Sequence, residues 1–175
     1  MILTLIGYRA TGKTTLAKLL AQRLGWDWID ADVEIERRAG KTITRIFAEQ
    51  GEPAFRDLEA DVIGELCGRD RLVVAAGGGV PLRAASRGAM RAAGKVVWLT
   101  ARPETILARM SADATTAGRR PNLTDQAPLE EIVQLLSSRT PTYAQAAHLT
   151  VDTEGREPPE LAAAIIECLE LGGKA

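Results

Sequence analysis

Gly7-Tyr8-Arg9-Ala10-Thr11-Gly12-Lys13-Thr14 reads G-x-x-x-x-G-K-T. The run before it, Ile2-Leu3-Thr4-Leu5-Ile6, is apolar and β-prone, and the run after it, Lys13 to Leu24, has helical spacing. Strand, glycine loop and helix together make this pattern a phosphate-binding loop. Gly7 and Gly12 allow a tight turn, so that successive N–H groups, those of Ala10, Thr11 and Thr15 among them, point at phosphate oxygens. The start of the following helix adds partial positive charge. Lys13 supplies a full charge for the outer phosphates, and the Thr14 hydroxyl is a ligand for Mg²⁺.

Working outward, strands and helices alternate. Leu16, Leu19, Leu20 and Leu24 form the apolar stripe of the first helix, which Gly25 closes. Trp26 to Asp32 reads as a short strand running into paired acids, followed by helical pieces from Val33 to Gly40 and around Ile43, Ile46 and Phe47. Gly51 ends the second piece, and Pro53 opens a longer helix with Phe55, Leu58, Val62 and Leu66 inward. Leu72 to Ala76 is a continuously apolar strand, as in a sheet covered on both faces. It runs into Gly77-Gly78-Gly79, and then come a helix over Leu82 to Ala93, a strand over Val96 to Leu99 and a helix over Pro103 to Met110. Ser111 to Asp125 is small, polar and basic without periodicity, which in a compact domain marks a functional or disordered loop. Pro128 to Ala146 reads as a helix bent or broken near Pro141, Leu149 to Asp152 as the last strand, and Leu161, Ile165, Ile166 and Leu169 as the closing helix. The alternation predicts an α/β fold, a parallel sheet wrapped on both faces.

The chain has 175 residues, of which 46% are apolar and 26% charged, with a net charge of −1. That length suggests one domain, residues 1–175, which buries about 70% of its unfolded surface and needs no staple. The mixed charge gives no footprint for nucleic acid or a membrane surface. Cys67 and Cys168 are far apart and read as reduced, partly buried thiols. No leader-type N-terminus and no bilayer-length apolar run is seen, so a cytoplasmic location is expected.

Ligands of open parallel sheets sit beyond the carboxyl ends of the strands, which groups the loop, Asp30/Asp32 and Gly77 to Gly79 on one edge. In extended geometry Asp30 and Asp32 lean toward one face. One then serves a metal's water shell while the other accepts a proton from a hydroxyl; a solvated acidic turn or a helix cap reads equally well. Arg56, Arg120 and Arg139 suit carboxylates or phosphates, although any one arginine alone reads as a surface residue. Triple glycine after an apolar strand fits close approach of a ligand, or a tight turn. His148 reads as a structural or solvated residue rather than a catalytic one.

Taken together, Gly7 to Thr14, Asp30-Ala31-Asp32, Gly51-Glu52-Pro53-Ala54-Phe55-Arg56, Gly77-Gly78-Gly79, Arg120-Pro121 and Arg139-Thr140-Pro141-Thr142-Tyr143 resemble the shikimate kinase family from Ile2 to about Leu169. The resemblance implies a three-layer α/β/α P-loop kinase fold of the nucleoside-monophosphate-kinase type, with a five-stranded parallel sheet and a lid near 111–124. It implies ATP and Mg²⁺ as cofactors and shikimate as substrate, with phosphoryl transfer to the 3-hydroxyl in aromatic amino-acid biosynthesis by a monomer. Lys13 and the loop amides would hold the ATP phosphates. Thr14 would ligate Mg²⁺, with Asp30 contacting it through water. Asp32 would be the base, Arg56 and Arg139 would grip the substrate carboxylate, and Gly78 and Gly79 would bind the substrate side. Arg120 would arrive on the lid and stabilise the transferring phosphoryl. Arg156, and in an unsettled register Arg109, are adenine-side candidates. The family often has Gly where this chain has Ala10, Met at Arg9, and a polar residue at Ala76. Arg9 is expected to alter nucleotide or partner contacts, and Ala76 to weaken a contact around the metal.

Overall fold

The computed structural model describes residues 1–112 and 127–171. A five-stranded, all-parallel sheet forms its centre: β1 (Ile2–Ile6), β2 (Asp27–Asp30), β3 (Leu72–Ala75), β4 (Gly94–Thr100) and β5 (Leu149–Asp152), in the order β2-β3-β1-β4-β5. The helices are α1 (Lys13–Leu24), α2 (Ala31–Ala39), α3 (Ile43–Cys67), α4 (Ala84–Ala93), α5 (Pro103–Ala112), α6 (Pro128–Ala146) and α7 (Pro158–Cys168), with a 3-10 turn at Val80–Leu82.

Strand periodicity divides the core in two. Leu3 and Leu5 of β1 face α1 and α7, packing with Leu16, Leu20, Leu161 and Ile165. Ile2 and Ile6 face the other way, with Ile35, Ile46, Phe55, Met90 and Tyr143 from α2, α3, α4 and α6. The result is a sheet between two layers of helix, as the unbroken apolar strands imply. No described helix is long and apolar enough to cross a membrane.

Three local expectations change. The acids at 30 and 32 do not share an extended strand, because α2 begins at Ala31; of the two readings left open, the helix cap is the one that holds. Asp30 is its N-cap and accepts from the N–H groups of Asp32 at 3.0 Å and Val33 at 3.5 Å. Helix α6 runs unbroken past Pro141. One lost N–H bond is offset by the burial of Arg139, Tyr143 and Ala146 along the same face. Cys67 is half-buried, but Cys168 is exposed. The two helical pieces around Gly51 do form, joined as α3 through a kink at Gly51 with φ 79° and ψ 173°.

Register explains why distant motifs meet. Asp30 pairs with Ala75, and Ala75 with Leu5, so the carboxyl ends of β2, β3 and β1 finish in one row. The chain leaves that row as the acids, the triple glycine and the phosphate loop.

Candidate active site

The loop between β1 and α1 is built around two glycines. Gly7 has φ 141°, and a Cβ there would lie 2.4 Å from the carbonyl oxygen of Leu99. Gly12 has φ 90° and precedes the first turn of α1. Ala10 also adopts a left-handed φ, of 60°, where an L-residue is strained by about 1–2 kcal/mol. Buried Thr11 donates to the Tyr8 carbonyl at 2.8 Å, and Lys13 Nζ donates to the carbonyls of Gly7 at 3.0 Å and Tyr8 at 2.7 Å. These bonds hold the loop in its ring, with the lysine head at its mouth.

Two clefts meet there, and Ala10, Lys13 and Thr14 line both. The larger, about 420 Å³, continues along Gly12, Thr15, Arg109, Thr153 and Arg156. Arg109 is fixed in it by Thr153, through the hydroxyl at 3.0 Å and the carbonyl at 3.2 Å, and reaches the Ala10 carbonyl at 3.5 Å. The smaller, about 140 Å³, is lined by Arg9, Asp30, Asp32, Gly77 and Gly78. Thr14 Oγ1 donates to Asp30 Oδ2 at 2.7 Å at the junction, while Asp30 Oδ1 caps α2. Asp30 therefore holds the start of a helix and the hydroxyl of the phosphate loop with one carboxylate. Half-buried Asp32 lies in the first turn of that helix.

The glycine turn is flanked by two guanidinium groups. A Cβ at Gly79 would lie 1.8 Å from Nη1 of Arg56, and one at Gly78 would lie 3.6 Å from Nη1 of Arg139 and 3.3 Å from the Tyr143 hydroxyl. Arg56 comes from α3 and Arg139 from α6. Arg56 donates through Nη1 to Glu59 at 2.9 Å, and through Nε and Nη2 to Glu52 at 3.1 and 2.9 Å. Burial works against its charge, yet Glu59 and Glu52 hold its pKa above the ordinary guanidinium value. Arg139 is 9% exposed. Tyr143, one helical turn further along, donates to the Gly78 carbonyl at 2.7 Å and keeps α6 against the turn.

Of the residues singled out in the sequence, the loop, Asp30, Asp32, Gly78, Gly79, Arg56 and Arg139 come together at one sheet edge, with Arg156 on the larger cleft. Arg120 lies outside the described residues. So does the expected lid, apart from Ser111 and Ala112, which close α5. Glu52, Glu59 and Glu131 escaped the sequence reading. Helical spacing around Arg56, four residues back and three forward, is a signal for the first two. Glu131 meets Arg9 only through tertiary packing. His148 is structural, accepting from Val96 N–H at Nδ1 over 3.0 Å.

A phosphate loop opening onto an acid and paired guanidiniums is an arrangement for moving a phosphoryl group to an anionic acceptor. Residues 9–170 match the family model described as shikimate kinase. The chain belongs to the shikimate kinase family. It is a kinase of the P-loop type, and close relatives span its whole length. It is 45% identical to the shikimate kinase of Rhodopirellula baltica, over 94% of this chain and 88% of that one. It is 41% identical to that of Symbiobacterium thermophilum, over 99% of both. Among solved structures, the shikimate kinase from Acinetobacter baumannii in complex with shikimate superimposes with a TM-score of 0.91 at 36% identity, covering 99% of this chain and 95% of the other.

Proposed function

We propose that this chain transfers the γ-phosphoryl group of ATP to the 3-hydroxyl of shikimate, giving shikimate 3-phosphate and ADP in aromatic amino-acid biosynthesis. The observation that carries this reading is the pair of guanidiniums, Arg56 and Arg139, on one glycine turn beside the phosphate loop. Shikimate has one carboxylate and three hydroxyls, and two cationic forks with a neighbouring acid suit that set of groups. The larger cleft takes the nucleotide and the smaller one the acceptor.

Lys13 and the loop N–H groups bind the phosphates of ATP. Thr14 would ligate Mg²⁺, and Asp30, whose Oδ2 accepts from the Thr14 hydroxyl at 2.7 Å, would contact the ion through water; both are hard oxygen donors of the kind Mg²⁺ takes. When bound, that ion neutralises phosphate charge. Asp32 accepts the proton of the 3-hydroxyl as its oxygen forms the new bond to the γ-phosphorus. The bond from that phosphorus to the β-phosphate bridging oxygen breaks, and ADP leaves. Arg56 and Arg139 orient the acceptor through its carboxylate, and Arg109 and Arg156 serve the nucleotide side. Arg120 stabilises charge on the phosphoryl group in transit, a role in which an arginine contributes about 10³–10⁵ in rate. The protein works as a monomer in the cytoplasm.

The test is ADP release with shikimate, gluconate and nucleoside monophosphates offered separately. Stimulation by shikimate is expected. Stimulation by gluconate or a nucleotide alone would overturn the reading.

A further inference from the structure

Arg9 lines the acceptor cleft together with Lys13, Asp32 and Gly78, and no step above uses it. It is anchored from two sides. Nη2 donates at 3.1 Å to Glu131, whose side chain is 2% exposed, and Cζ lies 5.6 Å from the ring centroid of buried Tyr8. The ion pair to so buried a carboxylate restrains the Arg9 side chain. The side chain is itself only 18% exposed. Among the described residues the Glu131 bond is its one hydrogen bond, so its other N–H groups are available to a ligand of the cleft that Arg9 lines.

We propose that Arg9 is a further cation for the transferred phosphoryl group, contacting it in transit and on the phosphate ester product, with Glu131 as its positioning residue. This rests on the functional reading given above. Charge and placement decide the ligand. Arg56 and Arg139 stand at the glycine turn, where the carboxylate is held. Arg9 belongs to the phosphate loop itself, four residues before Lys13, and lines the acceptor cleft next to Ala10, Lys13 and Thr14, which line both clefts. An anion arriving between Lys13 and Asp32 meets Arg9, and a guanidinium binds a phosphate ester dianion more strongly than a hydroxyl. The buried tie to α6 fixes the side chain before ligand arrives, which limits the ordering cost of that contact.

The experiment measures dissociation constants of shikimate, shikimate 3-phosphate and ADP by calorimetry for the wild-type chain, Arg9→Met and Arg9→Gln. Glutamine keeps a donor for Glu131 and removes the charge, so it carries the test if Arg9→Met does not fold. Loss of one charge-assisted contact predicts that the ester binds about tenfold more weakly to both variants, with ADP and shikimate changed by less than about twofold. Glu131→Gln is expected to weaken the ester in the same direction by a smaller factor. An unchanged affinity for the ester, or equal losses for ester and ADP, would overturn the assignment of Arg9. A wild-type chain that binds neither shikimate nor its ester would overturn the functional reading itself, and Arg9's role with it.

Discussion

The buried hydroxyl of Tyr143 donates to the carbonyl of Gly78 at 2.7 Å, tying α6 to the turn that follows β3. Arg139 lies one turn earlier on the same helix, its Nη1 beside Gly78. The bond thus sets where the guanidinium stands relative to the acceptor cleft. Arg139→Ala is expected to raise the KM for shikimate by a factor corresponding to about 2–5 kcal/mol, since the bound carboxylate loses a buried partner. Tyr143→Phe should cost about 1 kcal/mol of stability and raise the same KM modestly, leaving that for ATP within about twofold. Steady-state kinetics with each substrate varied would check both. An unchanged KM for shikimate in Arg139→Ala would remove that residue from the site.

Gly79 offers a steric test of the other guanidinium. A Cβ there would stand 1.8 Å from Arg56 Nη1, and the guanidinium is held by Glu52 and Glu59, so it cannot move without breaking those bonds. Gly79→Ala is expected to abolish acceptor binding while ATP still binds, which fluorescence titration with a labelled nucleotide and calorimetry with shikimate would separate. Normal shikimate affinity would mean that Arg56 stands elsewhere when the acceptor is bound.

The two aspartates should divide into different phenotypes. Asp32→Asn removes the proposed proton acceptor and should abolish turnover with ATP binding largely kept. Asp30→Asn keeps an acceptable cap for α2 but weakens the Thr14 contact. It should raise the Mg²⁺ concentration needed for half-maximal rate. A metal titration of the steady-state rate distinguishes them, and loss of ATP binding in Asp32→Asn would make that residue structural.

Glu34, two residues beyond Asp32 on α2, gives a pH dependence of stability. Hydrogen bonds from Arg37 and Arg38 lower its pKa from 4.5 to about 2, and Arg38 also bridges to Glu65 on α3. The folded state therefore favours the carboxylate. Its contribution is fully present above the unfolded value of 4.5 and is lost as pH falls toward about 2. Arg37 is largely exposed and water screens it. Glu34→Gln should therefore cost only about 1–2 kcal/mol at pH 7, the difference shrinking through that acid window. Denaturant melts of both proteins between pH 7 and pH 2.5 provide the measurement.

Much of the fold was legible in the sequence because its signals are local. The apolar run at Leu72 to Ala75, the helical stripe of Leu16 and Leu20, and the stop at Gly51 each depend on near neighbours. The misreadings have the same origin. Alternation allowed Asp30 and Asp32 to share a strand face, but the helix-cap alternative holds, Asp30's bonds to the N–H groups of Asp32 and Val33 starting a helix at once. Pro141 read as a bend or a break, because its missing N–H is local, while the burial of Arg139, Tyr143 and Ala146 that accompanies the continuous α6 is not.

The sequence by itself determined that a phosphate-loop pattern stands at Gly7 to Thr14, that strands and helices alternate, and which residue types were present for an acidic and a cationic half-site. These follow from spacing along a chain of fixed geometry. Only the tertiary structure decided that Arg56 and Arg139 share one glycine turn, that Asp30 grips Thr14, and that Arg9 is locked to Glu131. Each of those contacts joins segments far apart in sequence. They form because the strand order β2-β3-β1 ends three connections in one row and the core presses α3 and α6 onto it. No spacing between neighbours encodes such a meeting, since burial of the whole apolar surface selects it.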